Sequence, residues 1–285
     1  MPHAAAGGIR TELGSVVADQ GLLAHQRRAL ILEHVRTDGA VRVADLVEEF
    51  GVSDMTIRRD LDALARGGGL AKVHGGAVAV TGATADEPGF EAKSTRESAA
   101  KAALADAAAG LVKPGSVVAL SAGTTSFAVA SRLLTVANLT VVTNSLPVAD
   151  LLRTAGRELG SAAPTLLLTG GSPTPSAALV GPLADQAISS LHTDLLILGT
   201  HGVSEQAGLT TPNLAEARTN RALVAGARRV AVVADHTKWG VVALSSFAAL
   251  TEVDCFVTDD GLDDQAREVL ADTVGELVIA PVTGD

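Results

Sequence analysis

Cysteine is almost missing from this chain of 285 residues, which contains only Cys255. A single thiol excludes an intrachain disulfide, and such sparing use of cysteine fits a reducing cytoplasm. Cys255 lies in the strand-like run Asp254-Cys255-Phe256-Val257, and nothing beside it in the sequence would lower its pKa. We therefore expect a small buried apolar residue without a chemical role.

Long apolar runs are also missing, since even the most hydrophobic stretches, such as 195–199 and 230–234, end after a few residues. A membrane span needs about 18 or more consecutive apolar residues, and no segment approaches that length. Residues 1–23 hold no apolar run of signal-peptide length, so we expect a flexible leader there. With 47% hydrophobic and 19% charged residues, the composition predicts a soluble, folded cytoplasmic protein of two domains.

Basic residues are fewer than acidic ones: the chain has 22 Lys and Arg and 32 Asp and Glu, for a net charge of −10. This balance argues superficially against a nucleic-acid partner, because phosphate binding relies on Lys and Arg. Residues 24–80, however, hold eight basic and eight acidic side chains, so the negative excess lies elsewhere. A local basic face within 24–80 is therefore compatible with the composition.

Three helices are predicted within residues 24–80. From Gln26 on, the apolar residues Leu30, Ile31 and Val35 fall at helical spacing, and this pattern ends at the helix-stopping pair Asp38-Gly39. Residues 43–50 predict a short amphipathic helix closed by Gly51. A third helix is expected over 54–64, with Ser53 as its N-cap. Two helices joined by a short glycine turn are typical of the helix-turn-helix.

The third helix divides into a core side and a polar side. At about 100° per residue, Ile57, Leu61 and Leu64 share one side and must face the core. In a helix-turn-helix the first turns of the second helix meet base edges, and arginine can bond guanine through two hydrogen bonds. The predicted DNA-binding residues of this helix are Ser53, Met55, Thr56, Arg58 and Arg59.

A hairpin is predicted directly after this helix. Two short strands, 70–74 and 77–80, surround Gly75-Gly76, a pair that favours a tight turn. Such a hairpin would be a wing, with Lys72 and His74 near a flanking phosphate or the minor groove. The alternative is a small helical protein-interaction domain whose charges are simply solvated, and we favour DNA binding over it.

These residues resemble the N-terminal signature of the DeoR family of bacterial transcription regulators. The matching runs are Gln26-Arg27-Arg28, Val52-Ser53, Thr56-Ile57-Arg58-Arg59-Asp60-Leu61 and His74-Gly75-Gly76. The resemblance implies that the chain regulates transcription and that the third helix binds double-stranded operator DNA.

A second domain is expected over 93–285, after a linker at 81–92. Following an Ala-rich helix at 97–112, short apolar strands alternate with amphipathic helices. Strands that are apolar on both faces predict a mainly parallel α/β sheet covered on both sides. Seven strands are predicted, at 117–120, 140–143, 166–169, 195–198, 230–234, 256–258 and 277–280.

Polar and glycine-rich segments follow these strands, and in parallel sheets ligands bind beyond the carboxyl ends of the strands. The backbone N–H groups of Gly123 to Thr125 open a helix and suit a phosphate or another anion, and Lys238 is a candidate phosphate or hydroxyl contact. Tight turns also need glycine for steric reasons alone. The predicted effector-binding residues are Ser121, Gly123, Thr124, Thr125, Asn144, Gly170, Gly171, Glu216, Arg221 and Lys238.

Neither a metal site nor a cofactor is predicted. His201, Asp235 and His236 lack the spacing of metal ligands. We expect them to be satisfied loop residues.

The second half resembles the DeoR-family sensor domain. That domain is similar in fold to ribose-5-phosphate isomerases and CoA transferases, and the resemblance implies a phosphorylated sugar or sugar-pathway intermediate as effector. Two residues depart from the family pattern, Ser121 where Asp is usual and Asn220 where Lys is usual, which alters the hydroxyl groups that can be bound. The matching runs are Ala122-Gly123-Thr124-Thr125, Val142-Thr143-Asn144, Thr169-Gly170-Gly171, Glu216-Ala217 with Arg221, and Asp235-His236-Thr237-Lys238-Trp239-Gly240.

Three functions compete. The first is a cytoplasmic repressor of sugar-metabolism genes that a sugar phosphate shifts between DNA-bound and released states. The second is a sugar-phosphate isomerase with Glu216 as base and Lys238 stabilising an enediolate, and the third is a constitutive architectural DNA-binding protein. Only the first gives both domains a role. Because each helix-turn-helix unit reads one half-site, we expect a homodimer or homotetramer.

Overall fold

The computed structural model describes residues 24–38, 40–66, 70–73, 75–78 and 89–282. The chain divides into two units between Val80 and Thr81. The predicted leader at 1–23, residues 81–88 of the predicted linker and His74 of the predicted wing lie outside the described residues.

The first unit combines three helices with a small antiparallel sheet. Its elements are α1 (Ala24–Asp38), β1 (Ala40–Arg42), α2 (Val43–Phe50), α3 (Asp54–Arg66), β2 (Ala71–Val73) and β3 (Gly76–Val78). The strands pair in the order β1-β3-β2. The predicted helices and hairpin are confirmed, and residues 40–42, expected only to be extended, form a third strand.

Local residue choices explain these boundaries. Gly51 ends α2 in the left-handed conformation, with a φ of 62°, and donates its N–H to the Val47 carbonyl at 3.0 Å. A side chain is excluded at Gly76, because a Cβ there would lie 2.1 Å from the carbonyl oxygen of Val41 on the neighbouring strand. One apolar core lies between helices and sheet, formed by Ile31, Val35, Val43, Leu46, Ile57, Leu61, Leu70 and Ala77.

The second unit begins with two helices, of which only the Ala-rich one was predicted. Strands and helices then alternate along most of the chain, as predicted. Its first part comprises α4 (Phe90–Ser94), α5 (Ser98–Ala109), β4 (Val117–Leu120), α6 (Thr124–Leu133), β5 (Thr140–Thr143), α7 (Leu146–Leu159) and β6 (Thr165–Leu168). There follow β7 (Ser172–Pro173), β8 (Leu179–Val180), α8 (Pro182–Ser189), β9 (Leu195–Gly199), β10 (Gly202–Ser204), β11 (Gly208–Thr211) and α9 (Leu214–Ala225). The last part holds β12 (Val230–Val233), β13 (Ser245–Ala248), β14 (Cys255–Asp259), α10 (Asp264–Thr273) and β15 (Leu277–Ala280).

Seven parallel strands form the centre of this unit, in the order β15-β14-β12-β9-β4-β5-β6. They are the seven predicted strands, each within one residue of its predicted ends. Side chains alternate between the two faces, so along β9 Leu196 and Leu198 enter one core while Leu195 and Ile197 enter the other. Helices α8, α9 and α10 cover the first face, and α5, α6 and α7 cover the second.

Two features differ from the prediction. Strand β6 is one of the two edge strands, and its Leu167 and Leu168 are 43% and 44% exposed, so this strand is not covered on both faces. A second, antiparallel sheet of order β10-β11-β13 and a hairpin of β7 with β8 were not expected. Their strands have two to four residues each and occur in glycine-rich or polar segments, which hides the strand pattern.

Two expectations from composition can be compared directly with the structure. Cys255 is a free thiol with 1% exposure, and burial raises its pKa to about 11, which confirms a packing role. Within the described ranges, no helix is both long and apolar enough to cross a membrane.

Candidate DNA-binding face and effector site

Helix α3 begins at the predicted N-cap. The Ser53 hydroxyl oxygen accepts the backbone N–H of Thr56 at 3.3 Å and lies 2.9 Å from the Thr56 hydroxyl. Ile57 and Leu61 are fully buried and Leu64 is partly buried, which confirms the predicted core side. The polar start of the helix is thereby fixed at the surface.

The exposed side of α3 carries one paired and one unpaired arginine. Arg58 donates to the carboxylate of Asp54, one turn earlier, at 2.5 and 3.2 Å, and this hydrogen bonding lowers the pKa of Asp54. Arg59 is exposed and has no hydrogen-bond or ion-pair partner among the described residues. Met55 beside them is 64% exposed. Arg59 can therefore reach a base edge without first leaving a partner.

A buried ion pair ties α3 to α1. Asp60 is 2% exposed, and its two carboxylate oxygens accept the Nε of Arg27 and of Arg28, each at 2.7 Å. A buried carboxylate needs such cationic partners, so this cluster fixes the angle between α3 and α1. Sequence analysis gave these residues no role, although Asp60 falls on the same helical side as Ile57 and Leu61, which was the available signal.

The described part of the predicted wing is also tied to α3. Lys72 on β2 is partly exposed, and its ammonium donates to Asp62 of α3 at 2.5 Å. To contact a phosphate, Lys72 must exchange this carboxylate for the DNA backbone.

In the second unit, the predicted anion site at the start of α6 is open. Gly123 has a φ of 126°, a conformation that favours glycine, and free space surrounds the position of its missing side chain. No side chain caps the helix, so in the described structure the N–H groups of its first turn face no protein acceptor. Thr124 is partly exposed and Thr125 is buried. An anion could accept these N–H groups.

Ser121 and Asn144 hold neighbouring loops together. The Ser121 hydroxyl oxygen accepts the N–H of Gly199, at the end of β9, at 3.0 Å. Asn144 accepts the N–H of Ala122 at 3.0 Å and donates to the carbonyl of Leu179 at 3.1 Å. Both side chains are buried, and their hydrogen bonds join the segments that follow β4, β5 and β9.

The two glycines after β6 differ in their surroundings. Both have positive φ, 73° at Gly170 and 119° at Gly171. A Cβ at Gly171 would lie 2.6 Å from the carbonyl oxygen of Val180, so steric exclusion of a side chain is enough to explain the glycine at this position. Gly170 has open space around it, and its backbone can be approached by a ligand.

Glu216 and Arg221 lie on different sides of α9. The Glu216 carboxylate is buried and accepts the hydroxyl groups of Thr174, at 2.5 Å, and Ser176. Arg221 is exposed and lies about 140° further around the helix, at 100° per residue. The structure therefore does not place these two predicted residues together.

The loop after β12 holds a charge cluster. Asp235 has a fully buried side chain, its Oδ1 accepts the N–H of Thr237 at 3.1 Å, and its Oδ2 lies 3.4 Å from Lys238 Nζ. The Lys238 side chain is 32% exposed, so it can meet a ligand. Lys101 on α5 is a further, buried ammonium whose charge acts on Asp235. Sequence analysis missed Lys101, because the Ala-rich run around it does not show which side of α5 is buried.

His201, which follows β9, lies in the same charged surroundings. Burial and the nearby positive charges of Lys93 and Lys238 together lower its pKa to about 4, against the opposing effect of Glu216. The ring is therefore neutral at physiological pH.

Asp259, the last residue of β14, holds His236 in place. Asp259 Oδ1 accepts the backbone N–H of His236 at 2.7 Å, and its Oδ2 lies 2.6 Å from His236 Nδ1. Among the described residues there is no group of His, Cys, Asp and Glu side chains that could hold a metal ion.

A winged helix-turn-helix joined to an α/β unit with a polar carboxyl edge defines a DNA-binding transcription regulator with a sensor domain. Models of the DeoR-like helix-turn-helix domain and of the DeoR C terminal sensor domain match residues 27–82 and 96–260. The chain belongs to the DeoR family of transcription regulators. Membership places it among regulators rather than enzymes, against the isomerase alternative.

Relatives in this family align over almost their whole length. The chain is 37% identical to the HTH-type transcriptional regulator GlpR of Haloferax volcanii, over 87% of this chain and 94% of that protein. It is 34% identical to the glycerol-3-phosphate regulon repressor of Escherichia coli K12, over 87% and 95%. It is 37% identical to the transcriptional repressor AccR of Agrobacterium fabrum, over 82% and 89%.

Solved structures share only part of the fold. Ribose 5-phosphate isomerase A of Methanocaldococcus jannaschii aligns with a TM-score of 0.37 at 16% identity, over 51% of this chain and 55% of that one. The beta subunit of eIF2B from Chaetomium thermophilum aligns with a TM-score of 0.38 at 14% identity, over 62% and 54%. At this level the likeness carries no functional information.

Proposed function

We propose that this protein is a cytoplasmic repressor of carbohydrate-metabolism genes, released from its operator by a phosphorylated sugar or a related small anion. The supporting observation is that an uncapped helix start at Gly123–Thr125 and the loop that carries Asp235 and Lys238 lie on the same carboxyl edge of the sheet. Strands β4 and β12 are separated only by β9, so the carboxyl ends of these two strands are about 10 Å apart. The relative named for the glycerol-3-phosphate regulon supports a small phosphorylated effector.

In this proposal the predicted effector residues have different tasks. The N–H groups at Gly123, Thr124 and Thr125 and the ammonium of Lys238 contact the anionic group. Gly170 offers its backbone, and Arg221 lies at the rim. Ser121, Asn144, Gly171 and Glu216 shape the crevice through their contacts within the protein.

A fluorescence titration tests the effector class. Trp239 is the only tryptophan of the chain and follows Lys238 directly, so its emission reports on this loop. We expect saturable changes with glycerol 3-phosphate, ribose 5-phosphate or another sugar phosphate of a panel, and none with the matching free sugars. Inorganic phosphate serves as the control for the anion alone. Saturation by a free sugar but by no phosphorylated compound would refute the assignment.

We further propose that α3 enters the major groove and the wing contacts its flank, with Ser53, Met55, Thr56, Arg58, Arg59, Lys72 and His74 as the DNA-binding residues. Residues 24–80 would form the operator-binding domain, with 81–92 as linker and 93–285 as sensor. The working form would be a homodimer or homotetramer, since one unit reads one half-site. Selecting binding sites from random DNA should yield inverted repeats, and sedimentation should give two or four times the chain mass of 28.7 kDa.

A further inference from the structure

A buried lysine touches the segment through which the chain enters the second unit. Lys101 is 6% exposed, and its ammonium donates to the backbone carbonyls of Lys93, at 2.6 Å, and of Arg96. We call residues 89–97 the entry segment. Its described contacts with Lys101 hold the turn between α4 and α5 in place.

This turn is strained. Glu97 has a φ of 47°, in the left-handed region that residues with a side chain rarely adopt. Glu97 precedes α5 without a side-chain capping bond, and its carbonyl accepts the backbone N–H of Lys101 at 2.9 Å. A strained turn persists only while its surroundings hold it, and Lys101 supplies two of the holding hydrogen bonds through its side chain.

Helix α5, which carries Lys101, packs against β12, and Asp235 follows that strand closely, so the charge of Lys101 acts on the Asp235 carboxylate without forming an ion pair with it. Burial opposes the ionised form of Asp235, yet the charge of Lys238, hydrogen bonds from Thr237 and the charge of Lys101 hold its pKa below the ordinary value. In the same way, burial lowers the pKa of Lys101, and the Asp235 carboxylate opposes this effect. The Oδ2 atom of Asp235 is buried and has no hydrogen-bond partner among the described residues, although Lys238 Nζ is 3.4 Å away.

We propose that Lys101 is a positioning residue that couples the Asp235–Lys238 loop to the entry segment. When an anion draws Lys238 away, Asp235 loses its exposed counter-charge, and a buried carboxylate with an unpaired oxygen attracts the remaining ammonium. Lys101 then withdraws from the entry-segment carbonyls, and the strained turn relaxes. Residues 81–88 connect this segment along the chain to the DNA-binding unit. The inference rests on the proposed function in taking the effector as that anion.

A double-mutant cycle read by hydrogen exchange tests the coupling in the full-length protein without any effector. Lys238→Met imitates permanent withdrawal of Lys238, and we expect amides of 93–97 to exchange on the order of 3- to 10-fold faster than in the wild type. Lys101→Met alone should have a similar effect, and the double variant should add less than about twofold. Unchanged exchange in Lys238→Met, or increases that multiply in the double variant, would overturn the proposal.

A second cycle avoids removing the buried lysine. In Asp235→Asn no carboxylate attracts Lys101, so adding Lys238→Met should leave exchange at 93–97 unchanged, and an increase would refute the coupling. Lys113→Met, at an exposed lysine, is the matched control. Peptides covering β4 must stay protected in every variant, which separates local opening from unfolding. Because no effector is present, a failed sugar-phosphate titration leaves this result standing, and a failed cycle leaves the effector assignment standing.

Discussion

At the scale of single residues, the positive charges of the proposed DNA-binding face are largely neutralised by neighbouring acidic side chains. Arg58 is paired with Asp54 and Lys72 with Asp62, whereas Arg59 has no partner among the described residues. This pairing explains how a unit with eight acidic and eight basic residues can serve a DNA-binding regulator. Phosphate oxygens can replace the carboxylates when the helix meets DNA.

Arg59→Ala should weaken operator binding by about 10- to 100-fold, because one bidentate base contact is worth about 1–3 kcal/mol. Arg58→Ala should cost less, since Arg58 must first leave Asp54. Fluorescence anisotropy with a selected operator at fixed salt measures both, and Arg153→Ala, at an exposed arginine of the second unit, is the control. Wild-type affinity in Arg59→Ala would show that α3 docks through another side.

His201 should make the second unit less stable in acid. Its pKa is about 4 in the folded chain against 6.5 in the unfolded one, so above pH 6.5 the ring is neutral in both states and has no effect. As the pH falls from 6.5 to 4, the unfolded chain takes up a proton that the folded state excludes, and stability is lost. At pH 5 the loss should be roughly 1–2 kcal/mol.

Urea unfolding followed by Trp239 fluorescence at pH 7.5 and pH 5 measures this effect. His201→Gln should lose less stability between the two pH values than the wild type. His192→Gln, at an exposed histidine, is the matched control. An equal loss in the wild type and in His201→Gln would remove His201 as the cause.

At the scale of elements, buried polar side chains form hydrogen bonds and ion pairs between neighbouring segments. These bonds fix positions that hydrophobic packing alone does not fix. Asp60 joins α3 to α1, and Asn144 and Ser121 join the segments after β5, β4 and β9. The seven parallel strands and most helices were predictable because each carries its own apolar period and capping residues. The short antiparallel strands were not, because their pairing partners are distant in sequence and their own pattern is too brief.

Asp60→Asn should destabilise the first unit by about 3 kcal/mol, because the buried Arg27 would lose its ion pair with the Asp60 carboxylate. Hydrogen exchange of the α3 amides measures this loss, and Asp45→Asn, at an exposed acid of α2, is the control. Trp239 emission should be unchanged, since it reports on the second unit. Wild-type protection of α3 in Asp60→Asn would contradict a structural role for the ion pair.

At the scale of the whole molecule, a DNA-binding unit and a sensor unit lie in one chain of the DeoR family. Lys238→Ala should still bind the selected operator, but the sugar phosphate found in the fluorescence screen should no longer change that binding. The physical reason is that the ammonium is an effector contact in our proposal and belongs to the second unit. A DNA gel-shift with and without the sugar phosphate measures both properties, and full release in Lys238→Ala would exclude this lysine from the effector site.

The sequence by itself determined the helix-turn-helix, its exposed and core sides, the seven parallel strands and the family, because periodicity, capping residues and short motifs are local. Only the tertiary structure decided which polar side chains form their hydrogen bonds and ion pairs within the protein. It pairs Asp60 with Arg27 and buries the Glu216 carboxylate against the hydroxyl groups of Thr174 and Ser176. These facts depend on contacts between residues far apart in the chain, which no local pattern records.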